Sequence, residues 1–245
     1  MNLILLEPGD VGPSGNVALS GARAGHLANV LRVAPGDRVR VGVLDGSRGT
    51  GEVRSVGGGT VALHCEFEAS VPQRPPVDLL LALPRPKVMR RLWAQLAALG
   101  VGRIVLTNAE RVERDYFGAH IVSEETYRPL LIEGLQQARD TRLPQVSIHR
   151  RFKVLIEDEI EGLFRNELRL VADSGASRSI GEAASKSVEA RILLAVGPEG
   201  GWNDYERGLL EAHSFQCVSM GPRTLRTDTA CVALLALAHD ALKSR

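Results

Sequence analysis

The chain is poor in several features on which common chemistries depend. Its three cysteines, Cys65, Cys217 and Cys231, are an odd number at wide spacing, which argues against a disulfide framework and against a cysteine-based metal site. The six histidines are scattered, and no two stand at i, i+4 on a helix, so no metal ligand set is expected. Aromatic residues make up only 4%, leaving few platforms on which bases could stack. No apolar run reaches the roughly 18 residues of a membrane span; the nearest, ALLALAHDAL, contains His239 and Asp240. The start, MNLILLEPGD, reads as a strand, without the basic stretch and cleavage site of a signal peptide. No membrane role and a cytoplasmic location are therefore the expectation. The GxGxxG, GxxxxGK[ST] and GxSxG patterns are missing, and no cysteine stands beside a plausible histidine base.

What remains is a 245-residue globular composition, 44% apolar and 24% charged, long enough for one large domain or two unequal ones. The net charge of +1 hides a gradient. Residues 1–72 carry 6 basic against 7 acidic groups, 73–151 carry 13 against 8, and 152–245 carry 11 against 14. The middle third, at +5, is compatible with a nucleic-acid face and equally with ordinary solvated helices.

The first 70 residues read as short strands and turns. VRVGVLDG (39–46) alternates and turns at Asp45-Gly46, and GEVRSVGGGTVALHCEF (51–67) forms two strands around Gly57-Gly58-Gly59. With one helix near Ala24–Leu31, this pattern predicts a small β-barrel over 1–72. VPQRPPV (71–77) has three prolines in seven residues and marks the domain boundary. From 73 to 245 strands and helices alternate. Strands are predicted at 78–83, 103–108, 168–173, 191–196 and 217–220. Helices are predicted at 87–100, 123–137, after Asn203 in an Asn-x-x-Glu capping box, and from Thr227 or Asp228 to Leu242. Buried strands alternating with helices imply a parallel α/β sheet whose ligands sit at the strand C-terminal ends. The last helix is apolar nearly all round. It is therefore either a central core helix or one that meets a second subunit.

Three loops follow predicted strands: Asn108–Arg111, Gly197–Gly201 (GPEGG) and Gly221–Ala230 (GPRTLRTDTA). A glycine-rich loop after a strand suggests a phosphate cradle. Here Pro198 removes one N–H and Glu199 adds a negative charge, so a neutral or cationic ligand with polar edges suits the loop better than a polyphosphate. For an isolated loop, the glycines would simply mark tight turns.

GPEGGW followed by MGPRTLRTDTA resembles the signature of the ribosomal RNA small subunit methyltransferase E family, within the SPOUT superfamily. HLANVLRVAPGDRVRVGVLDG (26–46), LALPRPKVMRRLWAQLAALGVGRIV (81–105) and EGLQQARDTRLPQV (133–146) resemble further segments of it. The resemblance implies an S-adenosylmethionine-dependent enzyme that methylates N3 of a uridine in 16S rRNA, free or in the 30S subunit. It also implies a PUA-like barrel that binds RNA, a SPOUT-type parallel sheet with a C-terminal trefoil knot, and a homodimer. Two segments depart from the family pattern: Val112 follows Glu110-Arg111 where the family often has Ser, and residues 133–146 have Gln136 where Glu is usual and Asp140 near the usual Gly-Arg.

On this reading the cofactor pocket is formed by Leu106, Thr107, Val196, Gly197, Pro198, Glu199, Gly200, Gly201, Met220, Gly221, Leu225, Arg226, Thr227, Thr229 and Ala230. Arg226 is the first catalytic candidate, because removing the imino proton of uracil calls for an anion-stabilising cation. The alternative is that it only pairs with Asp228 or Glu199. Glu199 is the second candidate; it either meets a polar part of the cofactor or caps the helix that follows it. RNA contacts are assigned to Arg23, His26, Arg32, Arg85, Lys87, Arg90, Arg91, Arg111 and Arg223. Rival readings are a non-catalytic RNA-binding or assembly protein, and a related methyltransferase acting on another RNA.

Overall fold

The computed structural model describes residues 3–165 and 167–243, which divide into two compact units. The first comprises the chain up to Arg74 together with Ile132–Leu143. It is built on five strands: β1 (Ile4–Leu6), β2 (Asn16–Ser20), β3 (Arg38–Val43), β4 (Arg48–Gly57) and β5 (Thr60–Phe67). They lie in the order β1-β3-β4-β5-β2; β1 runs parallel to β3, and the other pairings are antiparallel.

Alternation explains the burial. Val17 and Leu19 of β2 face inward, as do Val61, Leu63 and Cys65 of β5, while their neighbours are more exposed. Gly58 and Gly59, both at positive φ, make the tight turn between β4 and β5. The helix predicted at 24–31 is a short α1 (Gly21–Gly25) running into a wide turn at His26–Val30, in which Leu31 N–H donates to His26 C=O.

The single boundary at 72/73 does not describe this division, because the first unit also takes in Ile132–Leu143. The tie is made by hydrogen bonds: Leu3 N–H to Gln136 C=O (3.0 Å), Asp45 N–H to Thr141 C=O (2.8 Å) and Thr141 Oγ1 to Gly46 C=O (2.6 Å). Thr141 is fully buried there.

The second unit, Pro75–Leu131 with Pro144–Arg245, holds a six-stranded sheet of β6 (Val77–Ala82), β7 (Val101–Thr107), β8 (Gln145–His149), β9 (Leu168–Ala172), β10 (Ile192–Val196) and β11 (Gln216–Val218). The order is β11-β9-β10-β6-β7-β8, and every pairing is parallel. β6 and β10 are buried at every position, as expected for central strands covered on both faces. β8 is an edge strand with no counterpart among the predicted elements.

The helices of this unit are α2 (Pro86–Leu99), the short α4 (Phe152–Val154) and α5 (Ile160–Leu163), α6 (Ile180–Ser185), α7 (Asp204–Ala212) and α8 (Thr227–Lys243), while α3 (Glu124–Ala138) belongs to it up to Leu131 and to the first unit from Ile132. α2 buries Met89, Leu92, Trp93, Leu96 and Ala97 and ends at Gly100, whose φ of 82° is the left-handed conformation that glycine adopts without strain. No helix among the described residues is long and apolar enough to cross a membrane.

Candidate active site

β9, β10 and β11 run parallel and end side by side, so the loops that follow them open in one place. They enclose a cleft of ≈ 330 Å³. Its lining comprises Ala172–Ser174 after β9, Val196–Gly201 after β10, and Val218–Gly221 and Arg223–Leu225 after β11, with Thr227, Ala230 and Leu234 from α8.

The GPEGG loop is held by local geometry. Gly201 N–H donates to Pro198 C=O (2.8 Å), and Gly201 sits at φ 70°. A Cβ on Gly197 would lie 3.0 Å from Trp202 N and 3.2 Å from Gly201, so any larger residue would push this folded-back backbone apart by a few tenths of an ångström. Behind the loop, the Trp202 indole stacks on Phe152 at 5.2 Å. α7 starts with the expected capping box: Asn203 Oδ1 accepts from Glu206 N–H (2.8 Å), and Glu206 Oε2 accepts from Asn203 N–H (2.9 Å). Buried Glu206 also accepts Glu110 N–H through Oε1 (2.7 Å).

Glu199 does not cap the helix behind it; its Oε1 accepts Arg85 N–H (3.1 Å) at the start of α2 instead. Arg226 pairs with neither Asp228 nor Glu199. The Asp228 carboxylate is taken by Arg91, Nη2 to Oδ2 at 2.7 Å, and that guanidinium holds the Asp228 carboxyl below its ordinary value. Arg226 and Arg223 are exposed, and neither side chain has a partner among the described residues.

Of the other predicted cofactor residues, Val196, Gly197, Pro198, Glu199, Gly200, Gly201, Met220, Gly221, Leu225, Thr227 and Ala230 line the cleft. Leu106 and Thr107 do not; they close the buried end of β7, which β6 separates from β10. Arg226 is not among the lining residues either, and Thr229 is exposed in the first turn of α8. The Thr107 hydroxyl, Asn108 Oδ1 and Trp202 Nε1 are buried without a hydrogen-bond partner.

The residues assigned to RNA fall into two groups, one in each unit. In the first unit, Arg23 is committed to Asp10 through two hydrogen bonds, while His26 and Arg32 are exposed. In the second, Arg85, Lys87 and Arg90 are exposed at the start of α2, and Arg111 donates to Gly200 C=O. The loop after β9 was not anticipated. Asp173 in it accepts Gly175 N–H (2.8 Å) and faces Arg207 at 3.5 Å. Its signal in the sequence was the aspartate ending the apolar run LRLVAD, at the carboxyl end of a parallel strand. No group of three or more metal-ligating side chains is present among the described residues.

Comparison with known proteins gives a consistent picture. A family model described as an RNA methyltransferase domain matches residues 72–239, and one described as an RNA methyltransferase PUA domain matches 19–64. The chain is 30% identical to a ribosomal RNA small subunit methyltransferase E of Treponema pallidum, over 98% of this chain and 92% of that relative. It is also 30% identical to a protein of the same name from Synechocystis, over 93% of this chain and 74% of that one. A ribosomal RNA small subunit methyltransferase E from Neisseria gonorrhoeae, solved with bound S-adenosyl methionine, superposes with a TM-score of 0.78 at 21% identity, covering 96% of this chain and 95% of that one. A methyltransferase from Legionella pneumophila, also solved with the cofactor, gives 0.75 at 23% identity over 98% and 97%. At these identities the two structures establish the shared fold.

Proposed function

The chain belongs to the ribosomal RNA small subunit methyltransferase E family, and from that premise we propose that it transfers a methyl group from S-adenosylmethionine to N3 of the uridine at position 1498 of 16S rRNA. It is an S-adenosylmethionine-dependent RNA methyltransferase; the target base and atom are the finer part of the proposal.

The observation that carries the reading is the composition of the cleft. Its lining holds two carboxylates, Asp173 and Glu199, against one guanidinium, Arg223. That balance disfavours a polyphosphate and suits a ligand with a positive centre. Val196, Val218, Leu225 and Leu234 offer apolar walls to a flat ring, and the turns at Gly197–Gly201 and Met220–Gly221 present backbone N–H and C=O groups for its polar edge. The volume of ≈ 330 Å³ lies in the range of roughly 300–1,000 Å³ usual for small-molecule sites. The residues present therefore fit the cofactor.

When bound, S-adenosylmethionine supplies an electrophilic methyl group on a sulfonium. The chain's own task is to present the uracil as its N3 anion. Arg226 is suited to this because its guanidinium is exposed and unpartnered, two residues before the helix-terminal Asp228. A guanidinium is a donor-only cation, so it acts by stabilising negative charge on the uracil oxygens while the N3 proton passes to solvent. Arg226→Lys keeps the charge and loses the planar two-pronged donor. It should lower the single-turnover rate about tenfold or more, whereas a rate near wild type would remove Arg226 from catalysis.

The same reading includes a trefoil knot in the C-terminal half and a homodimer. The direct test of function is mass-spectrometric mapping of 16S rRNA from a strain lacking the gene, with and without complementation. Loss and restoration of 3-methyluridine at that single position is expected. A mark retained in the deletion strain would overturn the assignment. Calorimetric titration with S-adenosylmethionine separates an enzyme from an assembly protein that has only kept the fold.

A further inference from the structure

The two loops facing the cleft are short of internal support. No side chain from Pro222 to Arg226 makes a hydrogen bond or ion pair among the described residues, and all five residues are exposed. Across the cleft, the GPEGG loop is closed on itself among the described residues by the Gly201–Pro198 bond, and Arg111 donates to its Gly200 C=O from outside. Each loop nevertheless has one tie to the same third element. Glu199 Oε1 accepts the N–H of Arg85, the residue that caps α2. Asp228, in the first turn of α8 and two residues beyond Arg226, is held by Arg91, which lies within α2.

α2 is a firm base for both ties. Met89, Leu92, Trp93 and Leu96 are completely buried, and Trp93 Nε1 donates to Ile121 C=O at 3.0 Å. Asp228 is also locked from its own side, because Oδ1 accepts Thr229 N–H (3.0 Å) and a carboxylate in a first helical turn is favoured by the helix dipole. Ala230 N–H donates to Arg226 C=O (2.8 Å), so the backbone of Arg226 moves with this turn.

We infer that Arg91 and Glu199 are positioning residues: through Asp228 and the backbone of Arg85 they brace the two cleft loops against α2, and so set where Arg226 stands relative to the cofactor. The inference rests on the role given to Arg226 and the cleft above. It reassigns Arg91 from RNA contact and Glu199 from catalysis. It also explains why an exposed ion pair between residues 137 positions apart is worth having. Such pairs add little to stability, but a small displacement of a catalytic group costs much in rate.

Two measurements test the brace. In calorimetric titration with S-adenosylmethionine, Glu199→Gln retains a carbonyl to accept the Arg85 N–H and loses only the charge the cleft offers a cationic ligand, so its affinity is the reference for the strut. Glu199→Ala loses the strut as well and should bind about tenfold more weakly than Glu199→Gln. Equal weakening in both variants would mean that the charge acts on the cofactor directly, and would overturn the strut. In single-turnover methylation of 30S subunits at saturating cofactor, Arg91→Met and Asp228→Asn should each lower the rate on the order of tenfold to a hundredfold. The double variant should be no worse than either single variant, KM for the RNA substrate and the melting temperature should be unchanged, and Arg91→Lys should recover most of the loss. A raised KM in Arg91→Met with an unaffected Asp228→Asn would make Arg91 an RNA contact and overturn the inference. The functional reading fails differently: a wild-type protein that binds the cofactor but methylates no rRNA would leave the titration arm of the brace intact.

Discussion

At the scale of single residues, the glycines of the cleft divide by what surrounds them. A Cβ at Gly197 would press on backbone, Trp202 N at 3.0 Å and Gly201 at 3.2 Å, which cannot give way without moving the loop. At Gly200 the nearest atom is Arg111 Cδ at 2.7 Å, part of a flexible side chain that can swing aside. Gly197→Ala should therefore weaken S-adenosylmethionine binding by about 1–2 kcal/mol, the usual scale of overpacking. Gly200→Ala should cost less and act chiefly by displacing Arg111. Calorimetry on the two variants ranks them, and equal losses would refute the distinction.

His239 supplies a residue-scale prediction of another kind. Burial pushes its pKa below the ordinary 6.5, against the bond to Gly100 C=O (2.9 Å), which pulls the other way. The folded state thus favours the neutral ring more than the unfolded chain does. The stability this contributes is fully present above the unfolded value of 6.5 and is lost as pH falls through the lower folded value. Denaturant midpoints should fall between neutrality and about pH 5. His239→Gln, which keeps a donor for Gly100 C=O and cannot titrate, should flatten that slope; an unchanged slope would place its origin elsewhere.

At the scale of elements, the two ends of the sheet do different work. The carboxyl ends of β9, β10 and β11 open the cleft, while the amino ends of β6 and β7 meet in a buried charge cluster. Asp78, completely buried in β6, takes three bonds on Oδ2 from Arg103 and Arg191, at 2.6–3.0 Å. Removing Asp78 takes the shared acceptor from Arg103 and Arg191, which still meet Glu167 and reach solvent, so Asp78→Ala should cost about 1–3 kcal/mol in denaturant titration. Because Asp78 lies at the opposite end of the strands, the folded fraction should bind the cofactor normally. Weakened binding in that fraction would show that the ends are coupled.

What was legible in the sequence followed the same division. Signals carried within a few residues came through: the Asn203-Glu206 capping box, the Gly100 stop and the continuous apolar strands β6 and β10. Elements whose identity depends on distant partners did not. Gln145–His149 is a partly buried edge strand whose residues never alternate cleanly, and it becomes a strand only by pairing with β7. The end of α3 and the turn through Thr141 join the first unit through hydrogen bonds to Leu3, Asp45 and Gly46 that no local pattern announces. In the cleft, the loop motifs were readable. The bond from Glu199 to Arg85, 114 positions apart, and the capture of Asp228 by Arg91 were not, because an acceptor's partner is a property of the fold and not of the motif.

At the scale of the whole molecule, α8 poses the remaining question. Its sequence is apolar nearly all round, and one side is accounted for: Cys231, Leu234, Leu235 and Ala238 are buried within the second unit. The opposite side leaves Ala236 and Leu237 exposed, Leu237 by 44%. Leu237 also lines a cavity of ≈ 600 Å³ with Ile180, Met220 and Gly221. An exposed large apolar side chain beside an open hollow marks an interaction surface, and a two-fold symmetric pair of identical chains is the commonest way to cover one. Met220 and Gly221 belong to this cavity and to the cofactor cleft alike, so covering the cavity would also wall the cleft. Two results are expected together. Light scattering should give twice the chain mass for wild type and the single mass for Leu237→Arg, and the monomeric variant should bind S-adenosylmethionine more weakly by about tenfold. A wild-type monomer would refute the dimer outright. A monomeric variant with undiminished affinity would show that each chain completes its cofactor site alone.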